Sequence, residues 1–190
     1  CLGGPAPTDQ YYQLELVAPQ RQFDTPPLKG TLQVTRPEAN ALTRERPLLF
    51  RQESGSTQVH RHAYHRWVDS PTIMLQQEMT RYLRATHLAN QVVTPKLRVK
   101  VDYLLSCQIL KLERILDGSP SVVMELELGI TSMQDNQALL LRTYREEQAA
   151  NSDGIEASVV AYNQALSKIL DRFLADSSML GGGGRKNTNP

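Results

Sequence analysis

The sequence predicts an α+β domain: one mostly antiparallel or mixed sheet with two amphipathic helices packed on one of its faces. Three patterns predict it. Apolar and polar residues alternate over 97–105 and 122–130, the period of strands with one wet face. Apolar residues recur at helical spacing over 70–87 and 155–173, the mark of helices with one buried stripe. The segments follow one another roughly as ββββ–α–βββ–α, which suits helices laid over one side of a sheet.

The elements follow in order. Pro5, Pro7, Pro19, Pro26, Pro27, Pro37 and Pro47 crowd the first quarter, so strands there are expected to be short or at edges, because proline cannot donate to a ladder. Short strands are predicted at 11–16, where Leu14 and Leu16 flank Glu15, and at 30–35, where Leu32 and Val34 alternate. Two more, at 47–53 and 58–67, are separated by the turn-like Ser54-Gly55-Ser56. Ser70-Pro71 reads as N-cap and first helical residue. Leu75, Met79, Tyr82, Leu83 and Thr86 then share one helical face, and Gln76, Gln77, Thr80, Arg81 and Arg84 the other, with Ile73 and Met74 off the stripe.

Leu97, Val99, Val101, Tyr103 and Leu105 predict a strand whose register changes near Ile109-Leu110, as at a bulge. Val122, Met124, Leu126, Leu128 and Ile130 face one way in the next strand, and 138–147 forms the third strand of an antiparallel meander. Asp153 and Glu156 have capping-box spacing. The helix they open carries Ile155, Val159, Tyr162, Leu166, Ile169, Leu170 and Phe173 on one stripe.

Length and charge exclude several classes. The 190 residues suit a single domain with an ordinary core. With 21 Lys+Arg against 20 Asp+Glu, there is no single-sign surplus to drive counterion release from nucleic acid. No apolar run approaches the ~20 residues of a spanning helix. Two cysteines, Cys1 and Cys107, are too few for a stapled scaffold.

Cys1 is informative in another way. It is followed by the small, unpatterned Leu2-Gly3-Gly4-Pro5-Ala6-Pro7, a composition that suits a tether. Cys1 is expected to be the acylated residue of a lipoprotein. The bland alternative is a trimmed secreted domain in which it pairs with Cys107, but Cys107 lies in a strand-like run and reads as a small buried hydrophobe. The expected organisation is a lipidated tether over 1–9, a domain over 10–179, and a flexible Gly-rich tail over 180–190. Two or three acyl chains would anchor the chain permanently, and a tether of this length holds the domain within ~30 Å of the bilayer.

Catalytic signatures are not found: G-x-S-x-G, H-E-x-x-H, C-x-x-C and phosphate-loop patterns are all missing from the sequence. In a regular strand His60 and His62 share a face and His65 lies opposite, an arrangement more typical of surface residues than of a metal site, so no metal or other cofactor is expected. The Arg-, His- and Tyr-rich stretch 58–67 suits a solvated strand, or one that meets lipid headgroups or an acidic partner. Trp67, the single tryptophan, reads as a core plug at a strand-to-helix junction or as an interface anchor. Tyr64, Arg66, Trp67 and Ile73 are the candidate partner or lipid interface. An exposed Ile73 would serve a homo-oligomer or a heteromeric contact equally well.

Several stretches in order carry a family resemblance: Cys1 followed by Tyr11-Tyr12-Gln13-Leu14, then Leu32-Gln33-Val34, then Tyr64-His65-Arg66-Trp67 before Ser70-Pro71, and Ala161-Tyr162-Asn163-Gln164-Ala165-Leu166. With these the chain resembles the ABC-type transport auxiliary lipoproteins, the family of paraquat-inducible protein C, over about residues 1–176. The segment 36–46 fits the family pattern poorly. The resemblance implies a non-enzymatic, periplasm-facing lipoprotein. It would work with an MCE-domain protein of a transporter that moves phospholipids between membranes, and dock that assembly at the outer membrane. Leu2 after Cys1, in place of Asp, implies the periplasmic face of the outer membrane by the enteric sorting rule. Two other classes compete: a periplasmic lipid-binding or shuttling protein, which needs a cavity lined by residues such as Met124, Leu126 and Leu128, and a hydrolase, which lacks a nucleophile constellation.

Overall fold

The alternating segment 122–130 is paired along both of its edges, and this sets the centre of the fold. The computed structural model describes residues 6–182. Their elements are β1 (Gln10–Tyr12), β2 (Leu28–Val34), β3 (Glu38–Ala39), α1 (Ala41–Arg44), β4 (Pro47–Arg51), β5 (His60–Trp67), α2 (Pro71–Ala85), β6 (Ala89–Val93), β7 (Tyr103–Ile115), β8 (Ser121–Ser132), β9 (Ala138–Ala149) and α3 (Ile155–Ser178), closed by a 3-10 turn at Met179–Gly182. All nine strands join one mixed sheet, as the α+β reading requires. Cys1 and residues 183–190 of the Gly-rich tail lie outside the described residues. The part of the tail that is described packs: Leu180 rests against the core.

β7 is the axis. One of its edges pairs antiparallel with β8 along nearly its full length, and β8 pairs antiparallel with β9. This is the predicted meander, turning at Gly118 and Asn136, both with positive φ. The other edge of β7 takes three short parallel partners in succession: β2 at Tyr103–Leu105, β3 at Gln108–Ile109 and β4 at Arg114–Ile115. β6 extends the sheet beyond β2, and β5 then β1 extend it beyond β4. The register shift expected near Leu110 is present between Ile109 and Lys111. It keeps Leu105, Cys107, Ile109 and Leu112 buried on one face despite the extra residue.

α3 packs over β8 and β9, and α2 over β2 and β6. The two helices are tied by the Tyr82 hydroxyl, which donates to Asp171 at 2.8 Å. Beneath α3, Val122, Met124, Leu126, Leu128 and Ile130 are fully buried with Ala165, Leu166, Ile169 and Phe173. The residues a lipid-shuttling reading would assign to a cavity wall are therefore packed core.

Four local expectations are corrected. The strand predicted over 11–16 ends at Tyr12. Leu14 and Leu16 are buried as the alternation requires, but side chains take the place of a ladder. Asn163 of α3 accepts from the Glu15 amide, Glu78 of α2 accepts from the Leu16 amide, and Arg81 donates to the Leu16 carbonyl. Residues 97–102 are not strand: Leu97 and Val99 are exposed, and pairing begins at Tyr103. The sequence pattern does not predict β6, which the structure adds. Finally, neither long helix has a side-chain N-cap bond: Gly154, not Asp153, is the N-cap of α3, and Ser70 caps α2 by position alone.

Candidate functional site

Tyr64, Arg66 and Trp67 all lie on β5, where register decides which surroundings each one meets. Between the pairs Pro47–Arg66 and Leu49–Arg61, two steps along β4 face five along β5. The odd excess reverses the alternation, so His65 is not opposite His62 but against it, edge-on at 5.6 Å.

Trp67 is 2% exposed and meets Tyr162 of α3 edge-on at 5.5 Å. Of the two readings of this residue, its placement is that of the core plug. Tyr64 is exposed. Arg66 is half-buried, its Nε lying 3.0 Å from a carboxylate oxygen of Asp9, which pins the segment leading into β1. Nearby, the Arg46 guanidinium lies over the Tyr11 ring at 5.1 Å and donates to the Trp67 carbonyl at 3.0 Å. Tyr64 and Arg66 thus sit at the edge where the N-terminal segment enters the sheet. Ile73 is elsewhere, half-buried in the first turn of α2 beside a groove that Arg36 and Arg84 also line.

Behind β5 a polar cluster joins the histidines of that strand to a buried arginine, Arg114, that the sequence did not single out. Arg114, 3% exposed, reaches under α3 from the far end of β7. Its Nε donates to Ser158 at 2.8 Å, one terminal nitrogen donates to the Asp153 carbonyl at 2.8 Å, and the other to Nε2 of His62 at 2.9 Å. Arginine has no acceptor, so His62 Nε2 must be unprotonated and the ring neutral. Burial first, then the charges of Arg114 and His65, lowers the His62 pKa to about 4. His65 in turn shares a 3.0 Å hydrogen bond with the Tyr12 hydroxyl, and Phe50 stacks on His60 and lies tilted against His62 at 4.5 Å. The cluster joins β1, β4, β5 and β7 to the start of α3.

This chemistry suits a structural joint. A cation beside His62 repels a metal ion, and among the described residues no group of three or more His, Cys, Asp or Glu side chains is placed to hold one. Ser158 accepts from Arg114 and donates to the Gly154 carbonyl, so among the described residues its hydroxyl is held by these two groups rather than by a base. Burial pushes the Cys107 thiol up to about 12, which keeps it an unreactive core group.

The sequence model of the ABC-type transport auxiliary lipoprotein component matches residues 12–173. The chain belongs to this family. The matched segment runs from the Tyr12 of the polar cluster to the Phe173 of the core, so it takes in the sheet and most of α3. The family is an auxiliary component of ABC-type transport, which implies a transporter partner. No curated protein sequence matches the chain.

Among solved structures, this auxiliary lipoprotein fold is similar to protein XCC0632 from Xanthomonas campestris, with TM-score 0.77 and 18% identity over 91% of this chain and 97% of that one. An uncharacterized protein gives TM-score 0.70 and 17% identity over 89% and 98%. The hypothetical protein CT253 from Chlamydia trachomatis gives 0.50 and 9% over 78% and 98%. At such identities the likeness is one of fold. No helix among the described residues is long and apolar enough to cross a membrane.

Proposed function

We propose that this chain is a non-catalytic, lipid-anchored accessory subunit of an envelope lipid-transport system, which docks the MCE-domain component at the periplasmic face of the outer membrane. The observation that carries the reading is the match to the transport auxiliary lipoprotein family over residues 12–173. Cys1 stands just upstream of the matched segment and is the acylated residue in this reading. The segment from Cys1 reaches the domain at β1, where Asp9 is paired with Arg66. The exposed Tyr64 and the half-buried Arg66 beside that entry, and Ile73 on α2, are the surface positions assigned to partner or lipid contact, with a second copy of the chain as one such partner.

The anchor is tested with labelled fatty acid in cells that make the full-length precursor. Label is incorporated into the wild-type chain and lost in Cys1→Ser. Label persisting in that variant contradicts the anchor.

A further inference from the structure

We propose that the groove on the outer side of α2 seats a phosphate-bearing anion. Helical spacing aligns Ile73, Gln77, Arg81 and Arg84. The segment after β2 adds Arg36, and the segment after β6 adds Thr94 and Lys96, enclosing an open groove of about 280 Å3. Four lining side chains are cations and none is a carboxylate, in a chain whose formal net charge is only +1.

The four cations differ in how they are held. Arg81 pairs with Glu78 at 2.6 Å and donates to the Leu16 carbonyl. Arg84 donates twice to the Val92 carbonyl, at 2.8 and 3.1 Å. A carbonyl fixes the guanidinium plane and leaves its charge uncompensated. Arg36 and Lys96 are exposed and have no carboxylate partner among the described residues. Oriented guanidinium groups and free cations thus converge on one concave space.

The occupant this suits is compact and multiply charged. Forked guanidinium N–H groups match phosphate oxygens, Lys96 adds a point charge, and Thr94 and Gln77 offer neutral donors. Ile73 gives an apolar wall for the carbon atoms that follow the phosphate. A groove of this size accepts one such group, whereas an acidic peptide needs an extended track. A lipid headgroup and a soluble phosphate ester share this chemistry.

The test uses the full chain as Cys1→Ser, so that no acyl group contributes to membrane binding. One arm titrates it calorimetrically with inorganic phosphate and with glycerol 3-phosphate. The other floats it with vesicles of phosphatidylcholine, with and without phosphatidylglycerol. Binding is expected in at least one arm, weakened about tenfold by the double variant Arg36→Gln with Lys96→Gln, with thermal unfolding unchanged. The control double variant Arg98→Gln with Lys111→Gln, outside the groove, is expected to bind as wild type. Binding to phosphatidylglycerol vesicles alone assigns a lipid headgroup, and binding of the soluble anions assigns phosphate esters generally. Absence of binding in both arms overturns the proposal. So does equal weakening by both double variants, or binding of a polyglutamate peptide without binding of any phosphate.

Discussion

His62 and Arg114 show how one residue's neighbours decide its chemistry. On a plain strand His62 is a surface histidine; under α3 it is the neutral acceptor of a buried guanidinium. Its folded pKa of about 4 lies below the ordinary 6.5. As pH falls below about 6.5 the unfolded chain takes up the proton first, so stability is intact above that pH and is lost progressively towards pH 4. Urea unfolding between pH 7.5 and 5 should show the wild type losing more stability than His62→Gln, which keeps an acceptor for Arg114 but does not titrate; parallel curves would mean His62 is already solvated. Trp67 is the companion case. Trp67→Ala should cost about 3–5 kcal/mol in chemical denaturation, as a core plug does, whereas a surface anchor would weaken partner binding at unchanged stability.

At the scale of elements, Gly30 is where backbone freedom is needed. It sits at φ 143° in the irregular stretch of the β2–β6 pairing, and a Cβ there would fall on the Asp102 carboxylate. That carboxylate accepts from the Thr31 amide at 2.8 Å, so it cannot swing away freely. Gly30→Ala should therefore lower unfolding free energy by about 2–3 kcal/mol, read by urea titration; a change under 0.5 kcal/mol would show that the junction relaxes.

The same elements show what was legible in the sequence. The period-two runs of β8, the helical stripes of α2 and α3 and the bulge near Leu110 were readable because each depends on nearby residues alone. Leu97 and Val99 alternate equally well but are not strand. The pairing of β7 with both β2 and β8 starts at Tyr103, and no local pattern reports where a partner stops. Leu14 and Leu16 alternate and are buried, yet their backbone is held by Glu78, Arg81 and Asn163 from two distant helices. The Arg114–His62 contact was invisible for the same reason: it depends on two register shifts, one in β7 and one in β5.

At the scale of the whole molecule, the near-zero net charge conceals an uneven surface. Cations gather along α2, and a tyrosine- and arginine-rich edge lies where the N-terminal segment enters. In the proposed function the entry edge faces the membrane anchor and the transporter partner, and the helical core holds that edge and the α2 groove in fixed positions. The most direct measurement is co-isolation of the acylated full-length chain from chemically crosslinked native envelopes, followed by mass spectrometry of what travels with it. An MCE-domain transporter protein should be recovered, with the yield falling sharply for Cys1→Ser. Recovery of the acylated chain from the outer membrane without any MCE-domain protein would contradict the docking role.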